Sequence, residues 1–379
     1  MSARSSNGPG IATRVFGSQW FVSVLAVLIA FAIGAILIAL SGASVVDAYY
    51  AMFRGSIVDP NAANAVRMIK PLTDSLFYSI PLIISGLGLA LGFRAGLFNI
   101  GGKGQIIVGA LAAVWVGFAV SLPPVVHTLV ALLVAVIAGG LYGGIAGVLK
   151  AKTGANEVIV TIMLNAIATL GLGYTLAQKA WQVPGTNQPV TPKVADSAAF
   201  ARLLPAPFKL HVGFLVALVA LVAFWWLIER STLGFQIRAV GANAAAARTA
   251  GISVERITAI TMVLSGAFLG LAGANEALGT IGYVSRDVAG SIGFDAITVA
   301  LLGRNKTWGT LGAGLLFGAF KAGGYTMQAK GVPIDMILIL QSVIVLLIAA
   351  PALVRWLFRL PDVRALAANT RKGNADEHK

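Results

Sequence analysis

Apolar stretches long enough to cross a bilayer as helices follow one another along almost the whole of this sequence, at roughly 20 residues per crossing. They fall at 20–40, 72–92, 105–121, 125–149, 157–178, 211–228, 257–278, 288–303, 308–326 and 334–354. The expected fold is therefore all-α, a polytopic integral membrane protein of about ten transmembrane helices. Composition agrees, since 58% of the 379 residues are hydrophobic and only 11% charged, where a soluble chain is about half apolar and a quarter charged. The stretches at 105–121 and 288–303 are short and interrupted by glycine, so re-entrant or broken helices are expected there.

Charge then sets the topology. The net charge of +14 suggests a nucleic-acid ligand at first sight, but the basic residues sit in loops and tails, where the retention of Lys and Arg on the cytoplasmic side explains them. Arg4 and Arg14 precede the first stretch; Arg355, Arg359, Arg364, Arg371 and Lys372 follow the last. Both termini are expected inside, which requires an even number of crossings. Ten crossings also bring Lys150 and Lys152, residues 230–256, and Arg304 with Lys306 to the inner face. The expected layout is a cytoplasmic segment 1–19, a transmembrane domain 20–354 and a cytoplasmic tail 355–379. Trp20–Leu40 reads as an uncleaved anchor. The absence of cysteine excludes disulfides, thiolate metal sites and cysteine nucleophiles.

Two segments fall outside. Residues 41–71 mix Tyr49, Tyr50, Met52, Phe53, Val66, Met68 and Ile69 with charges, as interfacial helices do. Residues 179–210 are stiffened by Pro184, Pro189, Pro192, Pro205 and Pro207. Each is either a solvated connector or a docking surface for an external protein. A faint echo links the sequences that begin at Gly92 and Gly293, which both open Gly-Phe-x-Ala and fit two parallel repeats of about five helices.

Between two apolar stretches lies a polar island, the cytoplasmic loop 229–256. It carries Arg238, Arg248 and Arg256 with Gly234, Gly241, Asn243 and Gly251. Gly241 and Asn243 offer a turn and an N-cap, Ala244 to Ala247 propagate a short helix, and Gly251 ends it. A short exposed helix held between spanning helices is what a membrane protein needs to grip a soluble partner.

Catalytic chemistry is not expected. Gly101-Gly102-Lys103-Gly104 lacks the first glycine and the Ser or Thr of a phosphate loop, so ATP binding by this chain is not expected. His127, His211 and His378 show no ligand spacing, and no metal or cofactor is implied. The informative polar residues lie in or beside the apolar stretches. Asn99 and Gln105 flank a glycine cluster where a helix cannot run regularly, and freed backbone groups at membrane depth must be buried in protein or line a water-filled cavity. Glu157, Thr161 and Asn165 recur at i, i+4 and i+8 on one helical face, and Glu157 also suits a helix first turn. Gly266 and Gly270 form a small-xxx-small pair for helix contact. Asn275 and Glu276 lie at an outer helix end, where an ionisable group marks a translocation path or an interfacial contact. Asp295 has similar standing.

Four segments together resemble a family. GFRAGLFNIGGKGQ, EVIVTIMLN, STLGFQIRAVGANAAAARTAGI and ITVALLGRNKTWGTLGAGLLFGA are similar to the signature segments of ABC-type permeases for nucleosides and simple sugars. That group belongs with the ribose and branched-chain amino-acid permeases. Lys103 stands where an acidic residue is common, Ala244 where proline is usual, and Lys306-Thr307 where Asn- or His-Pro is usual. The resemblance implies an importer half in a bacterial cytoplasmic membrane. Its partners would be cytoplasmic ABC ATPases, a paralogous permease and an extracytoplasmic substrate-binding protein. It carries a small-molecule substrate among membrane lipid and no nucleic acid. Asn99, Gln105, Asn165, Asn275 and Glu276 would line the substrate pathway; Arg238, Gly241, Asn243, Arg248 and Gly251 would couple to the ATPase. The alternatives are a branched-chain amino-acid permease, for which the chain supplies few charge partners, and an ion-coupled secondary transporter, which calls for intramembrane acid or histidine relays and inverted repeats.

Overall fold

A computed structural model of the chain describes residues 19–329, residues 331–333 and a few positions between 338 and 347. The terminal basic clusters, the expected 1–19 segment up to residue 18, the 355–379 segment and most of the stretch at 334–354 lie outside the described residues. Among those described there is no strand; one isolated bridge joins Arg202 and His211. The helices are α1 (Gln19–Leu40), α2 (Val45–Ser56), α3 (Ala65–Arg94), α4 (Gly102–Ala119), α5 (Val126–Thr153), α6 (Glu157–Ala177), α7 (Gly213–Trp225), α8 (Thr232–Ala242), α9 (Ala244–Thr249), α10 (Val254–Asn275), α11 (Ile292–Leu302) and α12 (Thr307–Gln328). Two of them change pitch at their ends, α7 into a π-turn at Trp226–Arg230 and α10 into another at Glu276–Thr280.

The fold is that of an all-α membrane protein, with fewer crossings among the described residues than expected. Six helices are both long and apolar enough to span: α3, α4, α5, α6, α7 with its π-turn, and α10 with its π-turn. The stretch at 105–121 is corrected from broken to continuous, because α4 runs unbroken for 18 residues; the irregular chain is the loop before it. The stretch at 288–303 is short as expected. Its helix α11 has 11 residues, about 16 Å at the α-helical rise, and cannot cross a core about 30 Å thick. α12 has the length but carries Lys321 and several glycines, which make it less apolar than the six. α3 begins earlier than expected, at Ala65, because Asn64 caps it by accepting from the Arg67 N–H at 2.9 Å.

Ala51–Thr326 forms one compact unit, and its centre is α10, which packs on α5, α4 and α3. The Gly266–Gly270 pair meets α5 backbone to backbone. A Cβ placed on Gly139 would come within 2.6 Å of the Gly270 Cα, and one on Gly143 within 3.0 Å of the Gly266 Cα. Lipid gives helices no hydrophobic reason to associate, so contact this close is how dispersion holds them. α1 and the start of α2 belong to a second unit, in which the Tyr49 hydroxyl donates to the Phe31 carbonyl and the two rings meet edge-on at 5.4 Å. The echo segments take different places: Gly92 to Ala95 end α3, whereas Gly293 to Ala296 open α11.

The loop at 179–210 is more than a solvated connector. Val194, Ala198, Phe200, Phe208 and Leu210 are buried. Ala195 donates to Gly117 O at 2.8 Å, Phe200 to Leu278 O at 2.9 Å, and Thr191 to Val284 O at 3.0 Å. The segment therefore closes one end of the bundle. The other end gathers Arg94, Lys150, Glu229 and Asn305.

Candidate functional site

The chain between α3 and α4 turns back into the bundle and climbs the side of α6. Phe98 N–H donates to Glu157 Oε1 at 3.3 Å, Ile100 N–H to Thr161 Oγ1 at 3.3 Å, and Gly104 N–H to Asn165 Oδ1 at 2.7 Å. Asn165 also donates from Nδ2 to Ile100 O at 2.8 Å. The i, i+4, i+8 spacing of the three polar residues thus serves a ladder for the entering loop and the first turn of α4, rising about 12 Å over eight residues of α6. Without those side chains the loop would leave bare amides in hydrocarbon. Lys150 Nζ holds the lowest rung, at 2.7 Å from Glu157 Oε2. At the top Asn99 closes the loop on itself. Its Nδ2 donates to Gln105 Oε1 at 3.0 Å and to Ser265 Oγ of α10 at 2.9 Å, while its Oδ1 accepts from the Gly101 N–H at 2.9 Å and Gln105 Nε2 at 3.3 Å. Asn99 and Gln105 are each 1% exposed, and they face one another.

The base of this loop touches the polar island. Gly241 lies inside the last turn of α8 and packs its backbone on Arg94 and Ala95, where a side chain would collide. It is a contact glycine and not the turn that the sequence suggests. The turn is made at Asn243, which has φ −162° and caps α9 by accepting from the Ala246 N–H at 3.0 Å. Gly251, at φ +82°, ends the element; Gly251 N–H donates to Arg248 O and Ile252 N–H to Ala247 O, each at 3.0 Å. This left-handed closure is why glycine stands there. Between α8 and α9 runs an open groove of about 540 Å³ lined by Phe235, Ala239, Ala242, Ala246 and Ala250 among others. Arg248 pairs with Glu255 within the chain, and Arg238 has Nη1 buried with no hydrogen bond. Arg94 completes the junction by donating from Nε to Asn305 O at 2.8 Å and lying 3.7 Å from Glu229.

A second polar cluster lies at the far end, beneath the 179–210 loop. Glu276 is 6% exposed and Asn275 fully buried. Asn275 Nδ2 donates to Glu276 Oε1 at 3.5 Å and Thr280 Oγ1 at 3.4 Å, and Thr280 Oγ1 donates to Glu276 Oε1 at 3.1 Å. Asn275 Oδ1 has no hydrogen bond. His211 is 2% exposed, between Phe77 and Phe200 at ring distances of 5.3 and 5.5 Å. Its Nδ1 accepts from the Gly213 N–H at 3.0 Å, so the neutral ring carries its proton on Nε2, which is also unpaired. Burial pushes the His211 pKa down to about 4, leaving the ring neutral near pH 7. Lys321 of α12 lies close enough to act electrostatically on both Glu276 and Asp295, and Asp295 Oδ2 accepts from Ser291 at 2.6 Å.

The five pathway candidates therefore fall into two groups. Asn99, Gln105 and Asn165 meet around the climbing loop; Asn275 and Glu276 meet beneath the outer loop. Sequence reasoning passed over Lys321, His211 and Arg94. A lysine in the middle of a glycine-rich apolar stretch was a legible signal for Lys321. The other two acquire their roles only from contacts with residues far along the chain.

Residues 72–349 match the family model described as the permease component of branched-chain amino acid transport systems. A guanosine ABC transporter permease protein of Bacillus subtilis is 40% identical over 89% of this chain and 95% of its own length. A glucose ABC transporter permease protein of Haloferax volcanii is 35% identical over 85% of each chain. A nucleoside ABC transporter permease protein of Lactococcus lactis is 32% identical over 92% of this chain and 95% of its own. No solved structure matches the chain. With the family model spanning most of the sequence and the fold that of a multi-pass membrane protein, the chain belongs to this family of transport-system permeases.

Proposed function

We propose that this chain is the membrane-spanning half of an ABC importer that carries nucleosides inwards across a bacterial cytoplasmic membrane. ATP hydrolysis belongs to a separate cytoplasmic ATPase, substrate capture to an extracytoplasmic binding protein, and the second half of the pore to a paralogous permease. The basic end of the bundle faces the cytoplasm. The α8–α9 element is the observation that carries this reading. Its α9 is a capped six-residue helix beside an apolar groove, and its α8 is seated through Gly241 on the base of the loop that enters the bundle. Arg238, Gly241, Asn243, Arg248 and Gly251 shape it, and the ATPase grips it. A displacement of α8 moves Gly241, and with it Arg94 and the base of the climbing loop. Asn99, Gln105 and Asn165 hold that loop at the inner side of the pathway; Asn275 and Glu276 stand at its outer side.

The relatives named for guanosine and for nucleosides support the substrate. The glucose permease of Haloferax supports a second reading, a hexose on the same machinery. Amino acids draw support from the family description alone. The test uses cells that carry the complete transporter. Ala246→Trp, which fills the groove, should lower uptake of radiolabelled guanosine more than tenfold at an unchanged amount of permease in the membrane. Normal guanosine uptake by this variant would remove the coupling role. Failure of the unaltered transporter to take up any nucleoside, with glucose carried instead, would settle for the hexose.

A further inference from the structure

Two buried polar atoms at the outer end lack any hydrogen bond, and they are complementary. His211 Nε2 presents a donor and Asn275 Oδ1 an acceptor. Asn275 Oδ1 stands on Gly213 and His211 Nε2 beside Gly279, with the Cε1 edge of the imidazole between them. The space that a Cβ on Gly213 would need is taken by Asn275 Oδ1 and the His211 ring, and the space beside Gly279 by His211 and Phe200. The amide of Asn275 is oriented by Glu276 and Thr280, which take its nitrogen and turn its oxygen towards Gly213. The helix carrying Asn275 widens into a π-turn at the next residue, a distortion common where a helix serves a site. Buried donors and acceptors are nearly always paired, so two orphans flanking one imidazole edge call for a partner.

Resting on the nucleoside reading, we infer that His211 and Asn275 form a recognition site for a sugar hydroxyl of the transported molecule, closed in this conformation. A hydroxyl both accepts and donates, which answers one orphan donor and one orphan acceptor together. The Phe77 and Phe200 rings around His211 offer apolar surface to the C–H faces of a sugar ring. Opening the outer end parts Asn275 on α10 from Gly213 at the start of α7, and admits the hydroxyl between them.

The experiment compares maximal uptake of guanosine and 2′,3′-dideoxyguanosine by the complete transporter, at concentrations that saturate the binding protein. Selectivity then reports the permease. The unaltered chain should favour the ribonucleoside by about tenfold or more, since the analogue leaves both buried groups unanswered. His211→Phe keeps the ring packing and Asn275→Leu keeps the bulk. Each should still carry dideoxyguanosine and should bring the ratio to within about twofold of one. An unaltered chain that carries both compounds equally overturns the site, whether or not the variants assemble. So does a variant that retains the full ratio. If the unaltered transporter carries no nucleoside, the substrate reading falls by itself, and glucose against its deoxy analogues then tests the same two residues.

Discussion

The molecule holds two buried polar clusters, one around the climbing loop and one beneath the outer loop, and they are finished to different standards. Around Asn99, each polar side chain on α6 that faces the loop is matched to a named backbone group, and the Asn99 amide uses both its ends. Around Asn275, two side chains are buried with a donor and an acceptor unmet, and the contacts that exist stretch to 3.4 and 3.5 Å. Satisfied networks fix a conformation, while orphaned groups raise the energy of the state that buries them. The contrast assigns rigidity to the inner cluster and readiness to change to the outer one.

The largest expected effect comes from breaking the finished cluster. Asn165→Leu strips the Gly104 N–H and the Ile100 C=O of their partners at once, which should cost about 2–5 kcal/mol and sharply reduce the folded protein recovered from membranes. Asn165→Asp keeps the acceptor for Gly104 and should recover part of the loss. If Asn165→Leu unfolds at the unaltered temperature in detergent, the ladder along α6 is ornamental and the contrast collapses.

Acid should expose the unfinished cluster. Above about pH 6.5 the His211 ring is neutral whether the chain is folded or not. As pH falls towards its buried value of about 4, the unfolded chain takes up a proton that the folded one refuses. Stability should then drop by about 1.4 kcal/mol per pH unit through that window. Thermal unfolding at pH 7 and pH 5 measures it, and His211→Phe should flatten the difference. A slope unchanged in the variant would place the acid sensitivity elsewhere.

Smaller effects sharpen the comparison. Asn275→Leu removes an acceptor that already lacks a partner together with two long bonds of 3.5 and 3.4 Å, so its stability should change by less than about 1 kcal/mol; a loss as large as that of Asn165→Leu would erase the distinction. Arg248–Glu255 is an exposed pair, with side chains 63% and 50% accessible, and solvent screening leaves it little weight in folding. Arg248→Glu should therefore leave the fold intact and stop coupled transport. The swap Arg248→Glu with Glu255→Arg restores the internal pair. Transport recovered by the swap would show that Arg248 serves only its neighbour.

How much of this was legible in the sequence varies with the range of the contact. The α9 cap at Asn243, its alanine body and its end at Gly251 are local, and spacing alone yields them. Glu157, Thr161 and Asn165 were legible as one face, because helical period is local too; that the face reads a loop some 60 residues earlier is not. Gly241 illustrates the limit. Glycine suits a turn and suits a close approach equally, and only the presence of Arg94 against it decides. The short helix at 288–303 has another reason, since hydropathy measures how apolar a stretch is and not where the backbone stops being helical.

The seam between α5 and α10 bears on how such a bundle moves. Where leucines interlock, one helix passes another only by lifting its knobs out of the holes, so motion comes in jumps. Gly139, Gly143, Gly266 and Gly270 put backbone against backbone, and the side chains beside them, Met262, Val263 and Ala267, sit over further glycines at Gly140, Gly144 and Gly147. Cysteine pairs placed along the rims of the seam, in a chain that has no cysteine of its own, would record such gliding as cross-links that form at several registers, and a single permitted register would refute it. Gliding of this kind would let α5 shift along α10 by small amounts at little steric cost, with Ser265 of the inner cluster and Asn275 of the outer one carried together on α10.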